Sequence, residues 1–273
     1  NSNKEDVPFP GYEALSEEMN EKPASIILTI TDSEGNHIRN VKKNASNGSG
    51  RIAWNLRHKS YYPVRAGRAQ SNWWWNPSGP YVTPGQYTAN LYLENNGSVE
   101  KLDGPVEFNV KPLRAGTLEG ASHDEYNSFR ERISSLYIEM SKYQDEFNMM
   151  ENKVQLLEKA SMQLEEFSPE LMKKISDFKA KYNAFDTDTN GNNARSEIGE
   201  WDKVTISTRV QIAMQGLSTS YGPTDLNKSN LEIAEKLFKK LATDVKMFKS
   251  ELETLENEVK ELNPPHLSGT GIN

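Results

Sequence analysis

Asp186, Asp188, Asn190 and Asn192 stand at alternate positions in one polar stretch, with Gly191 between the last two and Glu197 five residues further on. That is the spacing of an EF-hand calcium loop. Side-chain oxygens recur at every second position, a glycine makes the sharp turn, and a closing glutamate binds the ion through both oxygens. A helical pattern precedes the stretch, as the motif requires. Three features pull the other way. Asn193 stands where an apolar residue normally pins the loop to a partner hand, no second hand occurs, and Gly199, Trp201 and Asp202 must be crossed before helical periodicity resumes. The expectation is a weak Ca2+ site set against a plain polar connection between helices, and no other cofactor is expected.

Trp73, Trp74 and Trp75 lie between Gly- and Pro-rich flanks, and their indoles could form a platform on which the C–H faces of sugar rings stack. The competing reading is apolar cover over a domain edge. The other reactive residue types are scattered. His37, His58, His123 and His266 fall in separate segments, there is no cysteine, and neither a phosphate-cradling glycine loop nor a Gly-x-Ser-x-Gly turn is present. The expectation for this chain is therefore a non-enzyme, without catalytic residues.

Behind these candidates stand two very different halves. Residues 1–117 carry 13 basic and 12 acidic side chains, the remainder 19 and 27. An acidic second half argues against nucleic acid and against an anionic membrane surface as partner. No stretch is apolar enough to span a bilayer. The chain starts at Asn1 rather than Met, which reads as an excised or processed piece.

The first half is patterned as strands. Residues 1–22 lack periodicity and read as an N-terminal arm. Ser25–Thr31 and His37–Val41 flank an Asp32–Gly35 turn; Ile52, Trp54 and Leu56 alternate; Gln86–Leu93 and Val106–Val110 follow after the Tyr61–Pro80 excursion. Short strands with frequent turns predict a small antiparallel sandwich over 23–113. After a 114–120 linker, a heptad seam runs from Tyr126 to Leu164, and a second from Leu231 to Leu262. Helices are predicted at about 122–166, 169–185, 203–218 and 225–262, with caps at Ser122, Ser168 and Thr224 or Asp225, and a tail over 264–273. The predicted fold is multidomain β + α, a β-sandwich followed by an elongated antiparallel helical bundle or coiled-coil arm. In that arm four helices narrow to a two-helix shaft, and the last helix returns to the sandwich. The seams can close within one chain or between two, the latter making the arm a homodimer element.

The Asp-x-x-Gly turn, the strand holding Trp54-Asn-Leu-Arg57, Gly79-Pro-Tyr-Val-Thr-Pro-Gly-x-Tyr87 and the closing Lys111-Pro112 pair resemble the immunoglobulin-like module of the flagellar hook-capping type. That module also occurs near the C-terminus of bacterial secreted proteins whose N-terminal part is a sortilin-like BNR-repeat propeller, often labelled glycosyl-hydrolase-like, where a helical segment commonly follows it. The resemblance implies an immunoglobulin-like sandwich and an extracellular or periplasmic location. It further implies a non-catalytic C-terminal accessory region for domain packing, assembly or partner binding, with the N-terminal propeller as its first partner. The alternative is a glycan-binding accessory part of a glycoside-hydrolase-like enzyme, with Trp73, Trp74 and Trp75 as the contact residues.

Overall fold

The structure, a computed structural model, describes residues 9–64, 78–114 and 119–264, without the side chains of Asn193 and Ser196. The chain divides into two compact units near residue 115, where the composition changes. Among the described residues no helix is long and apolar enough to cross a membrane.

The first unit holds helix α1 (Tyr12–Asn20) and strands β1 (Ser25–Asp32), β2 (His37–Asn44), β3 (Gly85–Asn95) and β4 (Ser98–Val110). All four strands form one antiparallel sheet in the order β2-β1-β3-β4. The β1–β2 turn is set by Asp32, whose Oδ1 accepts the N–H groups of Glu34 at 3.0 Å and Asn36 at 2.8 Å. The expected sandwich is not found, because the described strands supply one sheet and no second layer. Residues 51–57, whose alternation predicts a half-buried strand, do not form a ladder. Leu56 adopts a positive φ of 57°, and only an isolated bridge joins Arg57 to Tyr81.

Alternation in that segment reported half-burial, not strand pairing. Trp54 lies across the sheet face, 5.6 Å from the Tyr87 ring and 6.1 Å from that of Phe108, and its Nε1 donates to Arg57 O at 2.9 Å. With Ile30, Ile38 and Val82 it makes the small core of this unit. Residues 9–22, expected as an aperiodic arm, include α1, none of whose side chains is buried.

The second unit is built on two long helices, α2 (His123–Ser161) and α6 (Asp225–Glu261), with α3 (Pro169–Asn190), the five-residue α4 (Asn193–Glu197) and α5 (Ile206–Gln215) between them. At about 1.5 Å per residue the long pair each extends on the order of 55–60 Å. Ser122, Ser168 and Thr224 cap as expected, accepting the N–H groups of Glu125, Leu171 and Asn227.

The arrangement of these helices corrects the antiparallel arm. The N-terminal half of α2 (Phe129, Ile133, Leu136) packs with the N-terminal half of α6 (Leu231, Ala234) and with α5. Its C-terminal half (Phe147, Val154, Leu157) packs with the C-terminal half of α6 (Val245, Leu252, Val259) and with α3. The long helices are therefore parallel. Lys174–Glu258 and Lys181–Glu251 bind α3 to α6 in the opposite sense.

Helix α5 continues in the direction of α3. Ile206 at its start lines a cavity with Tyr143 and Phe185, and Leu217 just past its end accepts from the Tyr126 hydroxyl at 3.1 Å. The unit is an up-down-up three-helix bundle whose middle leg is split into α3 and α5. The antiparallel count assumed that every connection reverses the chain, and the one between α3 and α5 does not. Both seams close within this one chain. Fully buried residues such as Ile133, Leu157, Ile175 and Leu252 each stabilise the bundle by about 1.5–3 kcal/mol. Tyr61 and Tyr62, expected to begin an excursion of the β domain, belong to this unit, with their rings 5.2 Å and 5.1 Å from that of Tyr137.

Candidate functional site

The break in the middle leg is where the predicted calcium residues fall. Asp186, Asp188 and Asn190 are not in a loop; they are the last helical residues of α3. Successive residues turn about 100° around a helix, so Asp188 points roughly 200° away from Asp186, whereas Asn190 returns to the same side. The hydrogen bonds follow that geometry. Asn190 Nδ2 donates to Asp186 Oδ1 at 2.6 Å, and Asp188 pairs with Lys203 Nζ instead. Asn192 Oδ1 accepts from Ala194 N at 3.0 Å, and Glu197 ends α4 with its side chain exposed. The five predicted ligands are thus in one neighbourhood but do not converge, and no group of three or more His, Cys, Asp or Glu side chains placed to hold a metal ion occurs among the described residues.

What the segment does build is a fastened connection. Gly191 ends α3 at φ 91°, and a Cβ there would lie 3.2 Å from Asp202 Oδ2. The bare backbone lets Asp202 approach and accept the N–H of Asn192, while its other oxygen accepts that of Lys203 at 2.8 Å. Glu200 N donates to Arg195 O at 2.9 Å, and Thr205 caps α5 through Thr208 N at 3.2 Å. The Asn192 and Lys203 N–H groups hold the Asp202 carboxyl below its ordinary range, and the Lys203 ammonium does the same for Asp188. Both carboxylates are therefore charged clamps near neutral pH.

Between the clamps and just after them the chain displays apolar side chains to solvent: Trp201 is 95% exposed and Ile198 72%, and Val204, the next residue after Lys203, is 48% exposed. Sequence reading passed over Trp201 as an obstacle between helices; its signal was a lone indole in an otherwise polar stretch. Trp73, Trp74, Trp75 and His266 lie outside the described residues. His37 Nε2 meets Asn40 Oδ1 at 2.8 Å in β2 of the first unit, and His123 begins α2 in the second.

Elsewhere in the helical unit the charged groups pair between elements. Arg132 reaches Glu235, Lys228 reaches Glu125 and Lys153 reaches Glu256, each from one long helix to the other. The raised values of Arg132, Lys174 and Lys228 each follow first from the hydrogen bond to that carboxylate partner. Tyr182 is pushed up chiefly by burial, with its hydroxyl donating to Phe147 O at 3.0 Å.

No protein-family model, no curated protein and no solved structure matches this chain.

Proposed function

We propose that this chain is a non-catalytic accessory region of an exported bacterial protein, acting in domain packing, assembly or partner binding. The BNR-propeller resemblance supplies the context, with the propeller as first partner and an extracellular or periplasmic setting. The observation that supports it most is the use made of ionisable groups in the helical unit. Those with displaced pKa values are struts between helices (Arg132, Lys174, Lys228), clamps on a connection (Asp188, Asp202) or a buried hydrogen-bond donor (Tyr182). Catalytic carboxylates and bases are displaced toward the pH of their task inside a cleft; here the carboxylates are lowered and the cations raised, which holds charge in place. A three-helix rod with internally closed seams is suited to rigid spacing and to presenting side chains from its surface.

The test is an activity screen of the whole 273-residue chain on chromogenic glycosides and polysaccharides, with Ca2+ present and absent. No turnover above buffer is expected. Turnover that survives repurification and is lost in a single carboxylate variant overturns the non-catalytic reading.

A further inference from the structure

We infer that Arg39 and Arg57 of the first unit form a binding site for a phosphate group, taken as a tetrahedral dianion. This goes beyond the accessory reading and does not depend on it. Three observations converge on the pair.

Residues 36–93 contain eight Lys and Arg side chains and not one Asp or Glu, in a chain whose net charge is −7. Charges of both signs are ordinarily interspersed on a surface, so a stretch of one sign sets up a local field that attracts anions. The fold then brings two of these cations onto one junction. Lys59 N donates to Ile38 O at 2.8 Å and Gly79 N to His58 O at 3.0 Å, which ties residues 58–59 between β2 and Gly79. Gly79 permits the approach, since a Cβ there would run into Lys59 O. Arg39 Nη1 donates to His58 O at 3.2 Å, and Arg57 Nη1 to Gly79 O at 3.2 Å. Both guanidiniums are therefore anchored on carbonyls of two residues that are themselves hydrogen-bonded.

Two like charges held together in half-buried positions call for a counter-ion. Burial, and then the charge of Arg57, hold Arg39 below its ordinary value. Arg130 and Arg132 each meet a glutamate, but among the described residues neither Arg39 nor Arg57 forms an ion pair. A guanidinium has five N–H donors, and the carbonyl contacts use one on each side chain. Arg57 is also laid flat, its guanidinium carbon 3.8 Å from the centroid of the Tyr81 ring, which fixes the plane and leaves the N–H edge to bind. Charge and shape select the ligand. A dianion neutralises both cations where a monoanion neutralises one, and a tetrahedral group offers an edge of two oxygens to each fork. A phosphate monoester approaches that charge near neutral pH.

The test is calorimetric titration of the 273-residue chain at one fixed ionic strength, above the second phosphate pKa of about 6. The probes are inorganic phosphate, methyl phosphate and, as a tetrahedral monoanion, dimethyl phosphate. Saturable one-to-one binding of the two dianions is expected, with dimethyl phosphate about tenfold weaker or more. Methyl phosphate binding the more tightly assigns the site to a phosphate carried on a ligand, and inorganic phosphate binding the more tightly assigns it to the free ion. Arg39→Gln and Arg57→Gln should each weaken binding about ten- to a hundredfold, the scale of hydrogen bonds to a charged group. Arg57→Lys, which keeps the charge without the fork, should weaken it too. Lys236→Gln with Lys246→Gln, on exposed positions of α6, removes two positive charges and should leave it unchanged. Because Arg39 and Arg57 also tie the backbone, the parent chain is measured as well: in its NMR spectrum the side-chain N–H signals of both should move with phosphate while those of Arg132 stay. The inference is overturned by no saturable binding of either dianion, by dimethyl phosphate binding as tightly, by a folded Arg39→Gln or Arg57→Gln chain binding like the parent, by the α6 pair weakening binding as much, or by Arg132 signals moving as far as those of Arg39 and Arg57.

Discussion

Arg132 and Glu235 face each other across the parallel long helices in a two-pronged contact, Nε to Oε1 at 3.0 Å and Nη2 to Oε2 at 2.8 Å, 103 residues apart in the chain. Glu125–Lys228 and Lys153–Glu256 repeat the same separation. Three pairs at one spacing fix the register of α2 on α6 as a ladder fixes two rails. Their energetic weights differ with burial. Arg132 and Glu235 are 43% and 31% exposed, so Arg132→Met should cost about 0.5 kcal/mol. Lys153→Met strands Glu256, only 9% exposed, without its cation and should cost about 1–3 kcal/mol. Urea unfolding of the two variants measures both, and equal costs would sink the burial argument.

Tyr182 stacks on Phe147 at 4.1 Å between centroids and donates its hydroxyl to the Phe147 carbonyl. Tyr182→Phe should cost about 1 kcal/mol near neutral pH for the lost hydrogen bond. Burial, aided by Glu151 and Asp186, raises the phenol above its ordinary 10.0. A raised folded value contributes stability that is complete below the unfolded value and lost as pH rises beyond it. The gap between the parent and Tyr182→Phe should therefore narrow above pH 10. A gap that stays constant in alkaline denaturation would show that the phenol ionises freely in the fold.

The clamp on the α3–α5 connection has the opposite sign. Lys203 lowers Asp188, and the Asn192 and Lys203 N–H groups lower Asp202, both from an ordinary 3.8. A depressed folded value contributes stability above the unfolded one and loses it as pH falls through the folded value. Hydrogen exchange should show the Asn192 and Lys203 amides losing relative protection below pH 3.8, with Asp202→Asn weakening them already at neutral pH. Protection that ignores both changes would mean that Asp202 does not hold the connection.

Much of this architecture was legible in the residues, and the parts that were not share a cause. Ser122, Ser168 and Thr224 announced three helix starts because a cap is a local hydrogen bond. The seams through Ile133, Leu157, Leu231 and Leu252 announced burial because periodicity is local too. Direction was not legible. Whether the chain reverses after Asn190 depends on Asp202 reaching back to Asn192, a contact between residues that no periodicity links. Trp54 failed in the same way, since alternation at Ile52, Trp54 and Leu56 gives a buried side but not a ladder partner. At the candidate site the calcium spacing was genuine in the sequence, but helix α3 ran through it as far as Asn190.

That outcome can be tested. Bringing Asp186, Asp188 and Glu197 onto one ion requires the last turn of α3 to unwind, which costs backbone hydrogen bonds such as Gly191 N to Thr187 O at 3.1 Å. Calorimetry with calcium into the millimolar range should give no saturable heat, and helical circular dichroism should not change. A saturable heat abolished by Asp186→Ala, together with a loss of helicity, would show that the ion reorganises the connection.

The parallel register itself admits a direct check, because the chain has no cysteine to interfere. Paired cysteines at Glu125 and Lys228, and separately at Lys153 and Glu256, replace side chains that touch in ion pairs. A short thiol cross-linker should join each pair within a single chain, giving a cyclised product of monomer mass. An antiparallel pair of long helices would instead place residue 125 beside the far end of α6, so that cysteines at 125 and 256 would link. Recovery of the 125–256 product and not of the 125–228 product would overturn the three-helix arrangement. Cross-linked dimer as the main product would show that the seams close between copies. The first outcome, both in-register links within one chain, is the one that the split middle leg requires, since only an unreversed step from α3 to α5 lets α6 start beside the start of α2.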